Sequence, residues 1–360
     1  MRLGLLLPTM QSVDVNRAAL SAAEQVGVDD VWVLDHMMGL THPAVWPLFP
    51  AARALPDPDA LLDPFCVAAA LGPTTDLPMG TCVTDATRRR GGDLARAALT
   101  LHDACRGGFV LGLGSGEAES IVPFGYDYDS PVGNVERALR EIRSLLDHGR
   151  MPEGVGRTGL PRDGAGGIPR VWVAAQHPRM LRLTGTYADG WLPLPSSVDR
   201  YREQFEIIKA AAAAAGRPVP VASLVPATIL GDSREQVLQT LERLPVARLI
   251  AYYLPAATWR EYGLEHPGGP DCRGQADIIP HTIEAERLVD IADKIPVELV
   301  EELAWLGNAD EIAERIAPYA ESGATHLLLG DVTGTTYAPE EAARVIGEQL
   351  PRLRALLREL

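Results

Sequence analysis

No run of about 18 apolar residues occurs in the chain, so nothing in it reads as a membrane-spanning helix. Positive charge is scarce: 33 Lys and Arg stand against 48 Asp and Glu, for a formal net charge of −15. Such a surface repels nucleic acid and anionic membranes, and neither is expected as a partner. An anionic cofactor is still permitted, because a few backbone amides and one local basic group hold a phosphate inside an acidic protein. Cysteine is sparse too. Cys66, Cys82, Cys105 and Cys272 have neither metal-ligand nor disulfide-framework spacing, which leads us to expect reduced thiols in the cytoplasm. The opening Met1-Arg-Leu-Gly-Leu-Leu-Leu-Pro8 lacks the long apolar h-region of a secretory signal, and none is expected.

Several catalytic signatures are also missing. There is no Gly-x-x-x-x-Gly-Lys-Ser/Thr loop, no His-Glu-x-x-His run and no Gly-x-Ser-x-Gly elbow. His36, His42 and His102 share no metal-ligand spacing, and no metal is expected. The first strand-to-helix turn is Pro8-Thr-Met-Gln11, without a glycine. That argues against the rival open sheet with a dinucleotide fingerprint, which needs Gly-x-Gly-x-x-Gly there.

Short apolar runs alternate with helix-like stretches. With 360 residues, 46% of them hydrophobic, the chain can bury the core of one large barrel or of two ordinary domains. Eight strands are predicted, at residues 3–8, 31–35, 77–83, 109–114, 171–175, 190–194, 219–231 and 325–331. Helical apolar spacing falls between them, at 15–26, 64–71, 92–104, 135–146, 179–187, 200–215 and 310–322, and a Gly/Pro/Arg-rich loop covers 149–167. The strands are apolar on both faces, as strands with side chains packed inside and helices outside must be. The expected fold is therefore a (β/α)8 TIM barrel, one domain over residues 1–360, with an insertion at 244–300 near the seventh strand. That insertion carries Tyr252, Tyr253, Trp259, Tyr262 and Cys272. It suits a lid or substrate-pocket wall and an oligomer contact equally well.

Chemistry in such a barrel gathers at the carboxyl ends of the strands. After the second strand come Asp35 and His36, with Trp46 farther along the loop. An imidazole there can donate to a bound ring or stabilise developing negative charge; it can equally be a structural histidine satisfied by backbone. After the third come Thr81, Cys82 and Val83, small enough for a planar ring to approach, with Cys82 more a buried filler than a nucleophile. After the fourth, Gly112-Leu-Gly114-Ser115-Gly116 forms a groove of exposed amides. Glu117 beyond it is a candidate acid or base if burial raises its pKa, or else a solvated turn residue. After the fifth, Ala174, Ala175, Gln176 and His177 feed a helix N-terminus, a place that suits a phosphate.

Taken in order, five segments resemble the bacterial luciferase-like superfamily of flavin and deazaflavin enzymes. They are Ala23-Glu-Gln-Val-Gly27 leading to Val31-Trp-Val-Leu-Asp35-His36; Gly80-Thr-Cys-Val-Thr-Asp85; Leu111-Gly-Leu-Gly-Ser-Gly-Glu117 with Pro123-Phe-Gly125; Val173-Ala-Ala175; and Leu183-Thr-Gly with Tyr187-Ala-Asp-Gly190. With Gly323-Ala and residues 325–330, the likeness spans nearly the whole chain. Asp35-His36-Met-Met and residues 169–195 look closest to the coenzyme F420-dependent branch, which includes methylene-tetrahydromethanopterin reductases and phthiodiolone-type ketoreductases. The resemblance implies hydride exchange at C5 of F420 with a small-molecule carbonyl, imine or activated alkene. It implies a non-prolyl cis peptide at Cys82-Val83 beneath the ring and a cofactor tail along Gly114, Ser115 and Gly116. It places the phosphate at Ala175, Gln176 and His177, His36 at the reactive face, Glu117 as proton donor and Trp46 on the substrate side. Gln176-His177 departs from the family pattern, which has a glycine in that loop. The same scaffold serves FMN-dependent monooxygenases that take reduced FMN and O2, and a non-catalytic partner subunit is the third reading. A homodimer is expected, with a separate flavin or F420 reductase as a possible electron source.

Overall fold

The computed structural model describes residues 1–162 and 167–360; residues 163–166 of the expected loop lie outside the described residues. In chain order the strands are β1 (Arg2–Leu7), β2 (Asp30–Val33), β3 (Met79–Thr81), β4 (Thr84–Asp85), β5 (Phe109–Gly114), β6 (Arg170–Val173), β7 (Gly190–Trp191), β8 (Val221–Leu224), β9 (Ala227–Leu230), β10 (Ala304–Gly307) and β11 (His326–Asp331). Eight of them close a parallel barrel in the order β1-β2-β3-β5-β6-β7-β8-β11, and β11 returns to β1 with Leu327 beside Leu3. The expected (β/α)8 barrel is the fold.

Two expected strands are each split. The third breaks at a cis peptide between Cys82 and Val83, after which β4 resumes pairing with β5, Thr84 beside Leu113. The seventh breaks at Val225-Pro226, because proline has no N–H to give the ladder. Its first half, β8, pairs with β7 and β11. Its second half, β9, shifts to the end of β11 and to β10. The sequence reading has no strand at β10, whose four buried residues follow a helical stretch.

Helices wrap the barrel for local reasons. The helix Val13–Val26 starts where Ser12 Oγ accepts from the Val15 N–H, and stops at Gly27, whose φ of 75° suits glycine. Its buried Leu20 and Ala23 face the strands. Burying one such leucine contributes ~1.5–3 kcal/mol. Inside the barrel, Trp32 and Trp172 pack with ring centroids 5.2 Å apart, over Leu192 and Leu328. Glycine at 190 makes this possible, since a Cβ there would lie 2.2 Å from the Trp172 ring. Beneath the tryptophans Asp30 accepts from Trp32 Nε1 at 2.6 Å and sits 2.9 Å from His326 Nε2, which closes the amino end with a buried polar network.

Between the seventh and eighth barrel strands, residues 245–303 carry short helices and, among the described residues, no strand. They share an apolar cluster of their own, including Leu249, Trp259, Leu288 and Leu299, with Val45, Trp46 and Phe49 from the loop after β2. Tyr252 and Tyr253 both donate to the Leu40 carbonyl, which ties this segment to that loop.

Candidate active site

The carboxyl ends of the strands surround a cavity of about 320 Å³. Its floor is built by close backbone approach. A Cβ on Gly112 would lie 1.8 Å from the Thr81 carbonyl oxygen, and one on Gly114 would lie 2.8 Å from Val83 Cγ2. Only glycine lets β5 lie against the bulge at Cys82-Val83. Leu6, Leu40, Leu192, Leu194, Ile250 and Tyr253 supply apolar walls.

Polar groups converge on one side. Asp35, buried at the end of β2, has its Oδ2 3.1 Å from Arg88 Nη2, which also donates to the Asp35 carbonyl at 3.0 Å. The next residue, His36, places Nδ1 2.7 Å from Glu119 Oε1 and 3.8 Å from Glu117 Oε2. Glu119 lies on the short helix Ala118–Ile121, where Ser120 Oγ donates to the same Oε1 at 2.9 Å. Burial opposes charge on His36, but the Glu119 hydrogen bond and the fields of Glu117, Glu119 and Asp35 overcome it and push the imidazole up to about 9. For Glu117, burial and repulsion from Glu119 outweigh the opposing pull of His36 and Gln275, and its carboxyl rises to about 8. His36 and Glu117 thus both hold their protons more tightly than such groups ordinarily do. Glu117 Oε2 is buried and has no hydrogen-bond partner. Burial, reinforced by Glu117, pushes the Cys82 thiol up to about 12, so it is no thiolate nucleophile.

The family described as luciferase-like monooxygenase matches residues 1–326. The chain belongs to this family. A phthiodiolone/phenolphthiodiolone dimycocerosates ketoreductase of Mycobacterium tuberculosis is 34% identical, over 94% of this chain and 92% of its own. Two solved structures share the fold. The coenzyme F420-dependent tetrahydromethanopterin reductase of Methanopyrus kandleri has a TM-score of 0.68 at 16% identity, covering 98% of this chain and 99% of its own. The oxygenating constituent of 3,6-diketocamphane monooxygenase from Pseudomonas putida, in complex with FMN, has a TM-score of 0.66 at 17% identity, covering 99% and 98%. The chain is accordingly an oxidoreductase of the luciferase-like type, and its relatives use F420 or FMN.

Of the residues singled out from the sequence, Asp35, His36, Cys82, Val83, Gly114, Ser115, Gly116, Glu117 and Ala174 line the one cavity. Others lie elsewhere. Thr81 is buried in the strands, its Oγ1 exchanging hydrogen bonds with Gly112. Trp46 stacks on Phe49 and donates Nε1 to the Leu55 carbonyl at 2.6 Å, inside the second apolar cluster and away from the cavity wall. Ala175, Gln176 and His177 sit just outside the lining, where Trp191 Nε1 donates to the Ala175 carbonyl at 2.8 Å and Gln204 Nε2 to the Gln176 carbonyl at 2.8 Å. His177 is exposed at the start of the helix Pro178–Tyr187.

Sequence reasoning missed Glu119, Ser120, Arg88 and Gln275, all of which line the site; Tyr253, named in the insertion that suited a pocket wall or an oligomer contact, lines it too. It also missed that the ligand atoms of His36, Glu117 and Glu119 lie within 4.8 Å of one another, a donor set hidden from any search by spacing. Among the described residues, no helix is long and apolar enough to cross a membrane.

Proposed function

We propose that this protein is an F420-dependent oxidoreductase that exchanges a hydride with a carbonyl, imine or activated alkene carbon of a small molecule. The observation that carries the reading is the Glu117 carboxyl, lining an apolar cavity with its Oε2 3.8 Å from His36 Nδ1, where burial and Glu119 push it up to about 8. Reduction of a polar double bond needs one hydride and one proton, and a carboxyl with a pKa near the working pH is suited to giving the proton. When bound, F420 would supply the two-electron hydride chemistry at its C5.

The residues present fit such a group. Gly114 lets β5 lie against Val83 beneath the cavity, where a Cβ would come within 2.8 Å of Val83 Cγ2, and the walls above are apolar. Glu117 and His36 line the same space, and Glu117 Oε2, without a hydrogen-bond partner, is buried 3.8 Å from His36 Nδ1. In the reducing direction Glu117 gives its proton to the substrate oxygen or nitrogen, and His36 stabilises negative charge developing there. Glu119 holds His36 charged and fixes its ring through Nδ1, so Nε2 is the nitrogen left to donate. Leu192, Leu194, Ile250 and Tyr253 exclude water from the reacting atoms.

Side-by-side equilibrium binding of F420 and FMN, oxidised and reduced, tests the cofactor. Tight F420 binding with weak FMN binding is expected; preference for reduced FMN with an oxygen-dependent spectral intermediate would replace this reading with the monooxygenase. Glu117→Gln should slow single-turnover hydride transfer by ~100-fold or more and abolish its alkaline limb near pH 8, with F420 binding unchanged. An unchanged rate and pH profile in that variant would remove Glu117 as the donor.

A further inference from the structure

We propose that His36, Glu117 and Glu119 form a binding site for one first-row divalent cation, zinc above all. One nitrogen or oxygen of each lies within 4.8 Å of the other two, and all three side chains line the cavity. His36 Nδ1 stands 2.7 Å from Glu119 Oε1 and 3.8 Å from Glu117 Oε2. Two donors held at ~2.0–2.2 Å by one tetrahedral ion stand roughly 3.3–3.6 Å apart. The two separations bracket that spacing, so side-chain shifts of less than ~1 Å admit the ion.

The buried carboxylate oxygens point to a cation. Glu119 is 2% exposed, yet its Oε2 has no hydrogen-bond partner, and neither has the buried Oε2 of Glu117. Buried carboxylates are ordinarily paired with a cation or ligate a metal, and an orphaned buried oxygen marks the place of an ion or a water. Among the described residues, no Lys or Arg pairs with either glutamate; His36 is the ion-pair partner of both. The nearby Asp35 and Asp85 differ, because Arg88 pairs with each of them. The want of a cation therefore falls on the two glutamates beside the imidazole.

The surroundings hold the three donors in place. Ser120 Oγ donates to Glu119 Oε1 at 2.9 Å and accepts from the Met37 N–H at 3.0 Å, which ties the short helix Ala118–Ile121 to the loop carrying His36. Gln275 Nε2, from the insertion, donates to Glu117 Oε1 at 2.7 Å, across 158 positions of sequence. Such outer contacts orient metal ligands, and here they leave Oε2 of each glutamate free. The cavity supplies an entry path and room for a water as fourth ligand, the arrangement of an open three-ligand zinc site. An imidazole beside two carboxylates suits zinc better than Mg2+ or Ca2+, which take oxygen ligands. A cation here occupies the carboxyl and imidazole that the proposed function uses, so zinc and hydride transfer exclude each other. That consequence, unlike the site itself, rests on the reading of Glu117 as proton donor.

The decisive measurement is zinc uptake by the cofactor-free full chain after chelator treatment, followed by titration calorimetry and by the visible absorption of Co2+ as a probe. One equivalent is expected, and anomalous diffraction at the zinc edge should place it among His36, Glu117 and Glu119 of the wild type. Glu119→Gln and His36→Gln should each weaken uptake by ~100-fold or more, and Ser120→Ala by ~10-fold, with thermal melting to check that the variants fold. His281→Ala removes a histidine that faces Asp59 and His42 instead, and should leave uptake unchanged. The proposal is overturned if the wild type takes up no stoichiometric zinc, or if the anomalous signal lies elsewhere. Affinity that survives in folded Glu119→Gln and is lost in His281→Ala overturns it as well. With F420 bound, zinc should slow single-turnover transfer by ~100-fold or more and EDTA should restore it. If zinc binds these three residues and transfer persists, the site stands and Glu117 fails as the donor. If zinc binds there but the zinc-free protein takes up no F420, the cofactor reading alone fails.

Discussion

At the scale of single residues, the site draws together three side chains, His36, Glu117 and Glu119, whose N and O atoms lie within 4.8 Å of one another. Glu119 is its keystone: Oε1 takes both the His36 Nδ1 contact at 2.7 Å and the Ser120 hydroxyl at 2.9 Å. Glu119→Gln removes the carboxylate that holds His36 near 9 and also the negative charge that lifts Glu117 toward 8. Both groups should then titrate at lower pH. The alkaline limb of kcat/KM is expected to move below pH 8, and single-turnover rate at pH 8 should fall by about tenfold or more while the rate at pH 6 changes less. A limb that stays in place would show that Glu119 has no part in setting the acid. The residues readable from sequence were those next to a recognisable backbone feature, such as His36 at a strand end and Glu117 after the glycines. Glu119, two positions on, looks like a solvated helix residue. It is buried because the helix Ala118–Ile121 folds it against a histidine 83 positions earlier, and no local pattern carries that contact.

At the scale of elements, barrel strands are legible because each is apolar on both faces, and all eight expected strands became barrel staves. Of the strands outside the expected spans, β4 is a two-residue continuation past 77–83, while β10 is four residues long and pairs only with the displaced half of the seventh strand. Its existence depends on the break at Pro226, a consequence of pairing that hydropathy does not encode. Two glycines test how tightly the elements pack. Gly190→Ala puts a methyl 2.2 Å from the Trp172 ring between β6 and β7, and should cost ~1–3 kcal/mol by urea denaturation. Gly92→Ala lies in the first turn of the helix Gly91–Ala104 with nothing within 4 Å of the new Cβ, and should stabilise by ~0.5–1 kcal/mol. Equal effects of the two would contradict this packing of the barrel interior.

At the scale of the whole molecule, the acidic cluster makes stability depend on pH. His36 binds its proton more tightly in the fold than at its ordinary 6.5, so its contribution is fully present below 6.5 and is lost as pH rises through about 9. Glu117 is stabilised in its neutral form, so its contribution is present below 4.5 and is lost as pH rises through about 8. Both slopes have the same sign between pH 6.5 and 8, each up to ~1.4 kcal/mol per pH unit. The melting temperature of the wild type should fall across that window more steeply than that of a His36→Gln/Glu117→Gln double variant. Parallel curves would mean that the two protons are held no more tightly in the fold than in the unfolded chain.

The placement of Gln275 has a consequence for how such an enzyme can diverge. A barrel with loops grafted onto it is usually expected to vary in modular fashion, the loops choosing the substrate and the strands keeping the chemistry. Here the Glu117 carboxyl stands on the strand side while the amide that touches it stands on the graft. Exchanging residues 245–303 for the corresponding stretch of a relative would replace Ile250 and Tyr253 in the cavity wall together with the Gln275 contact to Glu117. The wall of the cavity and the titration of Glu117 are therefore inherited together, and a chimera in which that carboxyl titrated unchanged would have had to bring a donor of its own to it.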